Sequence, residues 1–351
     1  MEVRRRSPWL TVSVSYLIVL RVAASRYDLA MDVLSDAIGV MRTGHPHSSE
    51  IRKHAPWGVR AEPFSGAGFH VVLEGTCWLI PPAGAAIALS VGDVVCLPHG
   101  CGHALADSPS TSLTGAPSAS LRQIAPSADD GEGATTVLLC GAYTLDQTRP
   151  HPLFEELPEV IHLPARLGHR TPLHAAVNLL GDEIANPDHG TEAVVSALLD
   201  IMLLYILRAW LDEQTDDGPA TGWAATLRDP AITTALRHIH QEPAVQWTVE
   251  ALGAKAGLSR AAFSRRFTSL VGKPPLGYLT WWRMTLAARL LRDSDKPVQT
   301  VAQRTGYTSE FAFAKAFKRE YGLAPGRYRQ QSRRQSGQHA ATTTASRWTP
   351  S

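Results

Sequence analysis

Cysteine is scarce and unpaired in this chain. Cys77, Cys96, Cys101 and Cys140 are the only four among 351 residues, and their spacings contain no C-x-x-C pair. A zinc knuckle or a disulfide framework would need paired spacings, so the four read as small buried residues of a reduced protein. A phosphate-binding loop, a dinucleotide fingerprint and a Ser-His-Asp arrangement are also missing, which leaves the enzyme classes built on them without support. Net charge is almost absent too, at +2, with 19% charged and 44% hydrophobic residues, the composition of a soluble globular protein. That near-zero sum conceals a division. Residues 226–335 hold 19 Lys or Arg against 7 Asp or Glu, net +12, whereas residues 1–225 net −11. A basic C-terminal module beside an acidic N-terminal one points to a polyanion as partner of the former.

The basic region contains one pattern written twice. The first copy is Val249-x2-Leu252-x4-Gly257 followed by Ser259-x3-Phe263-x3-Phe267; the second is Val298-x2-Val301-x4-Gly306 followed by Ser309-x3-Phe313-x3-Phe317. Each predicts a short helix, a glycine turn and a Ser-capped second helix whose Phe pair at i, i+4 is buried. Two such helix-turn-helix units can place two helices in successive major grooves of double-stranded DNA. Between them the sequence predicts a helix from Pro275 to Asp293, carrying Leu279, Trp282, Leu286 and Leu290. At 1.5 Å per residue it spans roughly 28 Å, close to the ~34 Å between successive grooves on one DNA face.

With the Phe pairs turned inward, Arg260, Ala261, Ser264 and Arg265 face outward on the first recognition helix, with Arg266, Lys273 and Arg283 as phosphate contacts. On the second, Glu310, Phe311, Ala312 and Lys315 face outward, and Lys318 and Arg319 reach the backbone. Arginine can bridge guanine O6 and N7, while Lys and hydroxyls position phosphates. Glu310 could accept from cytosine N4 or simply favour its own helix N-terminus.

Upstream, residues 57–104 carry short apolar runs broken by Gly and Pro, which argue for an all-β sandwich or barrel. Residues 107–135 read as an inserted flexible loop, Val137–Tyr143 as a returning strand, and 150–172 as mostly irregular. Helices are expected at Asp32–Met41, Leu173–Ala185 and Thr191–Glu213. The last of these is apolar, but Asp200 and Arg208 interrupt it, so it reads as a buried or subunit-interface helix and not as a membrane span. At the N-terminus, Arg4-Arg5-Arg6, the apolar run Trp9–Leu20 and Ala23-Ala24-Ser25 imitate a secretory signal. Export conflicts with binding a chromosome, so Met31 is the preferred start and 1–30 an upstream extension.

Several strings resemble the AraC/XylS family of bacterial transcription regulators: Gly257-Leu-Ser-Arg-Ala-Ala-Phe-Ser-Arg-Arg-Phe267, Tyr278-Leu-Thr-Trp-Trp-Arg-Met284, Gly306-Tyr-Thr-Ser-Glu310, Ala316-Phe-Lys-Arg319 and Gly322-Leu-Ala-Pro325. The resemblance covers about 230–330. Residues 32–165 resemble the cupin-type sensory domain of a branch of these regulators, through Phe69-His70-Val-Val-Leu-Glu-Gly75 and Gly92-Asp93-Val-Val-Cys-Leu-Pro98-His-Gly100-x2-His103. It implies an α+β multidomain chain, with an N-terminal cupin-like β-barrel plus helices and a C-terminal all-α double helix-turn-helix domain. The expected divisions are 31–165 for the sensor, 166–213 for a helical packing or dimerisation region, 214–228 for a linker, 229–331 for the DNA-binding domain and 332–351 for a disordered tail. The expected function is sequence-specific control of transcription in the cytoplasm, without enzymatic activity. RNA polymerase, an unknown small-molecule effector and a second copy of the chain are its further candidate partners, and no cofactor or membrane is expected.

One departure matters. Metal-binding cupins pair two His and a Glu in the first motif with a third His in the second, whereas this chain offers only His70 and Glu74, then His103. Positions four apart on a strand share a face, so the three could converge. The alternative function is therefore a metal-dependent cupin enzyme fused to a DNA-binding module. The competing reading, with no metal, makes His70 and His103 structural or part of a small-molecule pocket.

Overall fold

The computed structural model describes residues 33–43, 46–113, 132–146, 148–165, 171–216 and 222–334. The leader-like run, the upstream extension, most of the expected loop and all but the first residues of the expected tail lie outside this set.

Helix α1 (Val33–Met41) leads into nine strands: β1 (His47–His54), β2 (Gly58–Ala61), β3 (Gly66–Glu74), β4 (Thr76–Ile80), β5 (Ile87–Ser90), β6 (Val94–Leu97), β7 (His103–Ala106), β8 (Thr135–Thr144) and β9 (Ile161–Leu163). They form a five-stranded sheet ordered β1-β8-β3-β6-β9 and a four-stranded sheet ordered β2-β7-β4-β5. The inner strands β8, β3 and β6 of the five-stranded sheet are buried on both faces, which explains why they are near-continuous apolar runs rather than alternating ones. From β3, Ala67, Phe69 and Val71 face a layer of helices, while Val72 faces the second sheet. Strand β8 divides in the same way, Leu139 and Tyr143 to one side, Leu138 and Cys140 to the other. Gly141 sits opposite Phe69 in register, and any side chain there would collide with the phenyl ring.

The helical layer is α3 (Pro172–Ala185) and α4 (Thr191–Asp216), after a single turn α2 (Pro152–Glu155). Helix α4 has the length and hydropathy of a membrane span. Yet Leu199, Met202, Leu203, Ile206 and Leu207 are packed in the main core, and Asp200 accepts a hydrogen bond from Arg42. Then follow α5 (Gly222–Arg228), α6 (Pro230–Gln241), α7 (Val249–Lys255), α8 (Arg260–Val271), α9 (Pro275–Asp293), α10 (Val298–Arg304), α11 (Glu310–Tyr321) and α12 (325–334). Local chemistry sets their limits. Thr248, Ser259 and Ser309 cap α7, α8 and α11 through their hydroxyls, and Gly272 and Gly322 end α8 and α11 in the left-handed conformation.

Several expectations need correction. Residues 222–228, read as linker, form α5, with Trp223 and Thr226 fully buried. The stretch 150–172 is mostly irregular in its described residues, as expected, apart from α2, β9 and the first residue of α3. Strand β1 lies ahead of the expected 57–104 region and escapes a reading by apolar runs because it is largely polar, burying little besides Ile51 and Lys53. All four thiols are free, but Cys101 is only half-buried.

The cores do not divide at the expected linker. One cluster runs from α1 and the five-stranded sheet through α4 to Ile232, Leu252, Phe263, Phe267, Tyr278 and Trp282. A separate small cluster holds Met284, Ala287, Ala288, Leu291, Val301, Ala302, Phe313 and Phe317. The first helix-turn-helix thus shares its core with the β domain, whereas the second has its own.

Candidate nucleic-acid interface

Helices α7 and α8 form the first head, and α10 and α11 the second. In each, the turn glycine adopts positive φ (Gly257 at 68°, Gly306 at 81°), a conformation open to glycine at little cost. Phe263 and Phe267 pack at 5.4 Å between ring centroids, and Phe313 and Phe317 at 5.7 Å; all four are fully buried. Anchoring one face of each recognition helix in this way rotates the opposite face outward.

On α8, Arg260, Ala261 and Arg265 are exposed and Ser264 is half-buried. Arg260 pairs with Glu250 of α7 at 2.7 Å. The Arg266 guanidinium is engaged at 2.5 Å by Asp229, a carboxylate that also caps α6 by accepting from the amides of Ala231 and Ile232. Arg266 therefore joins α8 to α6. On α11, Glu310, Phe311, Lys315, Lys318 and Arg319 are exposed, Arg319 pairing with Glu320 at 3.0 Å. Phe311, 80% exposed, is the most exposed of the large apolar side chains among the described residues. The cap of α11 is Ser309, and Glu310 occupies the first turn.

Arg283, expected at a phosphate, is instead buried and donates to the carbonyls of Pro243 at 2.7 Å and Val245 at 2.8 Å. Charge alone suggested an outward side chain; its partners lie 40 and 38 residues away, beyond the reach of local pattern. Helix α9 itself is no exposed rod. Trp281, Trp282, Met284 and Thr285 are consecutive or nearly so and all buried, because the β domain and both heads pack around it.

Polar chains tie the β domain to the heads. The amide of Leu153 donates to His151 Nδ1 at 3.1 Å, leaving the neutral ring's proton on Nε2, which donates to Tyr278 Oη at 3.0 Å. Tyr278 then donates to His240 Nε2 at 2.9 Å, and His240 Nδ1 donates to Asp36 at 3.0 Å. The chain crosses from α2 through α9 and α6 to α1. On the second head, Arg149 pairs with Glu320 at 3.0 Å, and Arg292 with Asp146 at 3.4 Å.

His70 and His103 do meet, across the gap between the two sheets, at 2.8 Å between their Nε2 atoms. His103 Nδ1 donates to the Cys101 carbonyl at 3.1 Å, so its Nε2 must accept from His70 Nε2–H. His70 Nδ1 then accepts from the Cys140 thiol at 3.0 Å. Burial holds both rings below the ordinary histidine range, and His103 depresses His70 further. Every ring nitrogen is thereby used. Glu74 does not join them: a bulge between Val72 and Glu74 breaks the register, and its exposed carboxylate lies 3.4 Å from Arg52. Among the described residues no three His, Cys, Asp or Glu side chains gather as a metal site. The space between the sheets is filled by Trp57, Val72, Leu79, Leu89 and Leu105. A crevice of about 410 Å³ opens elsewhere, where α1 and α4 meet Arg289 and Asp293 of α9.

Comparison with known proteins agrees with this division of labour. A cupin family model matches residues 32–212, and a helix-turn-helix domain model matches 252–331. An AraC-like transcription regulator of Streptomyces lividans is 32% identical over 300 residues, covering 85% of this chain and 98% of that protein. The HTH-type transcriptional regulator MtrA of Neisseria gonorrhoeae is 29% identical over 306 residues, covering 86% and 99%. Among solved structures, the DNA-binding domain of AdpA in complex with a target DNA is 38% identical, covering 31% of this chain and 98% of that one, with a TM-score of 0.30. The chain belongs to the AraC-like transcription regulators, a cupin domain followed by a helix-turn-helix DNA-binding domain.

Proposed function

We propose that α8 and α11 enter successive major grooves of one operator and read bases with Arg260, Ala261, Ser264 and Arg265 on the first head and Glu310, Phe311 and Lys315 on the second. The observation that carries this is the pairing, on both helices, of a fully buried Phe pair with an exposed polar and cationic face. Arg265 supplies guanine contacts, Phe311 packs on a thymine methyl, and Lys318 and Arg319 neutralise phosphates. Arg266, whose Nε is engaged by Asp229 while its side chain stays half-exposed, orients α8 and presents its remaining N–H groups to a phosphate. The work is done in the cytoplasm, at promoters and in reach of RNA polymerase, without catalysis.

The test is selection of a preferred duplex from a random pool by the full chain, followed by binding across salt. Neutralising ~5–8 phosphates gives a log–log slope near −5 to −7. Arg265→Ala is expected to cost about 1–3 kcal/mol and to relax preference at one base pair. A flat salt response, or an equal loss on every sequence, contradicts the assignment.

For the β domain and its helices, the observations support oligomerisation. The space between the sheets is packed, while α4 presents Val194, Ala197, Ile201, Leu204 and Arg208 at alternating three- and four-residue spacing, the repeat of a helix-pairing seam. Val194 and Ile201 are both exposed. A second copy of the chain pairs along this stripe, and an effector acts from the crevice at α1, α4 and α9. Ile201→Glu should convert a dimer to a monomer in sedimentation at micromolar concentration with its circular dichroism unchanged. A wild-type monomer, or a variant that stays dimeric, overturns the interface.

A further inference from the structure

We propose that Arg283 and Gln246 clamp the two heads to one another, fixing their separation and twist so that the protein accepts its two half-sites at a single spacing. This rests on the reading of α8 and α11 as the helices that enter DNA.

Arg283 stands midway along α9, only 9% exposed. Its Nε and Nη2 donate to the carbonyls of Pro243 and Val245, in the loop that leads into the first head. The other side of the same guanidinium lies against Gly306, the turn of the second head, where a Cβ would stand 2.7 Å from Nη2. Gln246, next in the loop after Val245, donates from Nε2 to the Gly306 carbonyl at 2.7 Å. The two heads therefore meet directly, with a planar cation as the wedge between them. Arginine suits the place: its rigid fork serves two carbonyls at fixed angles, which a lysine ammonium cannot do. Burial pushes the guanidinium below its ordinary range, with Tyr307 opposing the shift, and the two carbonyls satisfy its donors.

Separate cores make this seam necessary. The heads hold different hydrophobic clusters and share α9, so a bend between residues 282 and 284 is opposed by no shared apolar core, only by the stiffness of α9 and polar ties such as Arg149–Glu320. The Gln246 bond and the Arg283 fork oppose it. One added base pair shifts a half-site by about 3.4 Å and rotates it by about 35°. Heads on a pliant joint absorb such a step; clamped heads do not.

The experiment uses the full chain and the duplex it selects from a random pool, in its original form and with one or two base pairs inserted between the half-sites. Wild-type protein should lose at least about tenfold in affinity per inserted pair, the loss of roughly one base-reading contact. Gln246→Ala, an exposed side chain with one bond to lose, and Arg283→Lys should bind the original duplex within a few fold of wild type and reduce the insertion penalty to about threefold. The decisive readout is the ratio between spacings, which a simple loss of folded protein leaves unchanged. Variants that weaken on all duplexes in proportion, or wild-type protein indifferent to insertion, overturn the clamp. Failure to enrich any sequence would instead overturn the DNA-reading assignment.

Discussion

Acidification from about pH 7.5 to about pH 5.5 is expected to lower the protein's stability substantially. His70, His103, His151 and His240 are all at 7% exposure or less. Burial is the leading cause that lowers each of them; His103 adds to it at His70, and His240 and then Lys273 at His151. At His240 the bond to Asp36 opposes burial without overcoming it. In the unfolded chain each ring takes up a proton near its ordinary value of 6.5, whereas the folded chain resists protonation until lower pH. Below that value the unfolded state binds more protons, so stability falls as pH falls through 6.5 toward the depressed folded values, and is level above it. Each histidine contributes up to about 1.4 kcal/mol per pH unit between its folded value and its ordinary one, and the four act in the same direction. Their sum counts against the ~5–15 kcal/mol of a typical domain. Denaturant midpoints across this range, with the number of protons taken up on unfolding, measure it directly. A level profile below pH 6.5 would mean that the rings are charged inside the fold.

Truncating one phenylalanine in each head should have different reach. Phe263→Ala and Phe313→Ala each delete a fully buried ring, at about 3–5 kcal/mol. Phe313 belongs to the small second cluster, so its loss should accelerate amide exchange only in residues 284–334, with the β domain still protected. Phe263 belongs to the cluster that extends to α1, α4 and the five-stranded sheet, so its loss should accelerate exchange on both sides of α5. Hydrogen exchange resolved by segment separates the outcomes. Identical exchange maps for the two variants would show that the cores are not independent.

What the sequence made legible was local. The two heads were readable because cap, glycine turn and Phe pair all lie within about twenty residues, and each acts on its immediate neighbours. Helix α9 came out at its observed limits, since Pro at its start and an apolar stripe are likewise local marks. The polar strand β1 escaped because it pairs along one edge only, with β8, and its alternation is masked by Ser, Glu, Arg and Lys. Glu74 was misplaced by a single bulge, which a count of residues along a strand cannot foresee. Arg266 and Arg283 were assigned by charge. Their partners Asp229 and the loop carbonyls are 37 to 40 residues distant, so only tertiary structure reveals that the cations are engaged. Trp223 was concealed by an acidic, Gly-containing neighbourhood, although its ring fills space against His151, 4.7 Å away between centroids.

The shared core also decides where this polypeptide can be cut. A scission just before α5 would free the two heads from the rest only by uncovering Trp223, Tyr278, Trp281 and Trp282 together, a broad aromatic scar facing water. Fragments made in that way would clump, so the boundary drawn by composition is not one along which the molecule comes apart.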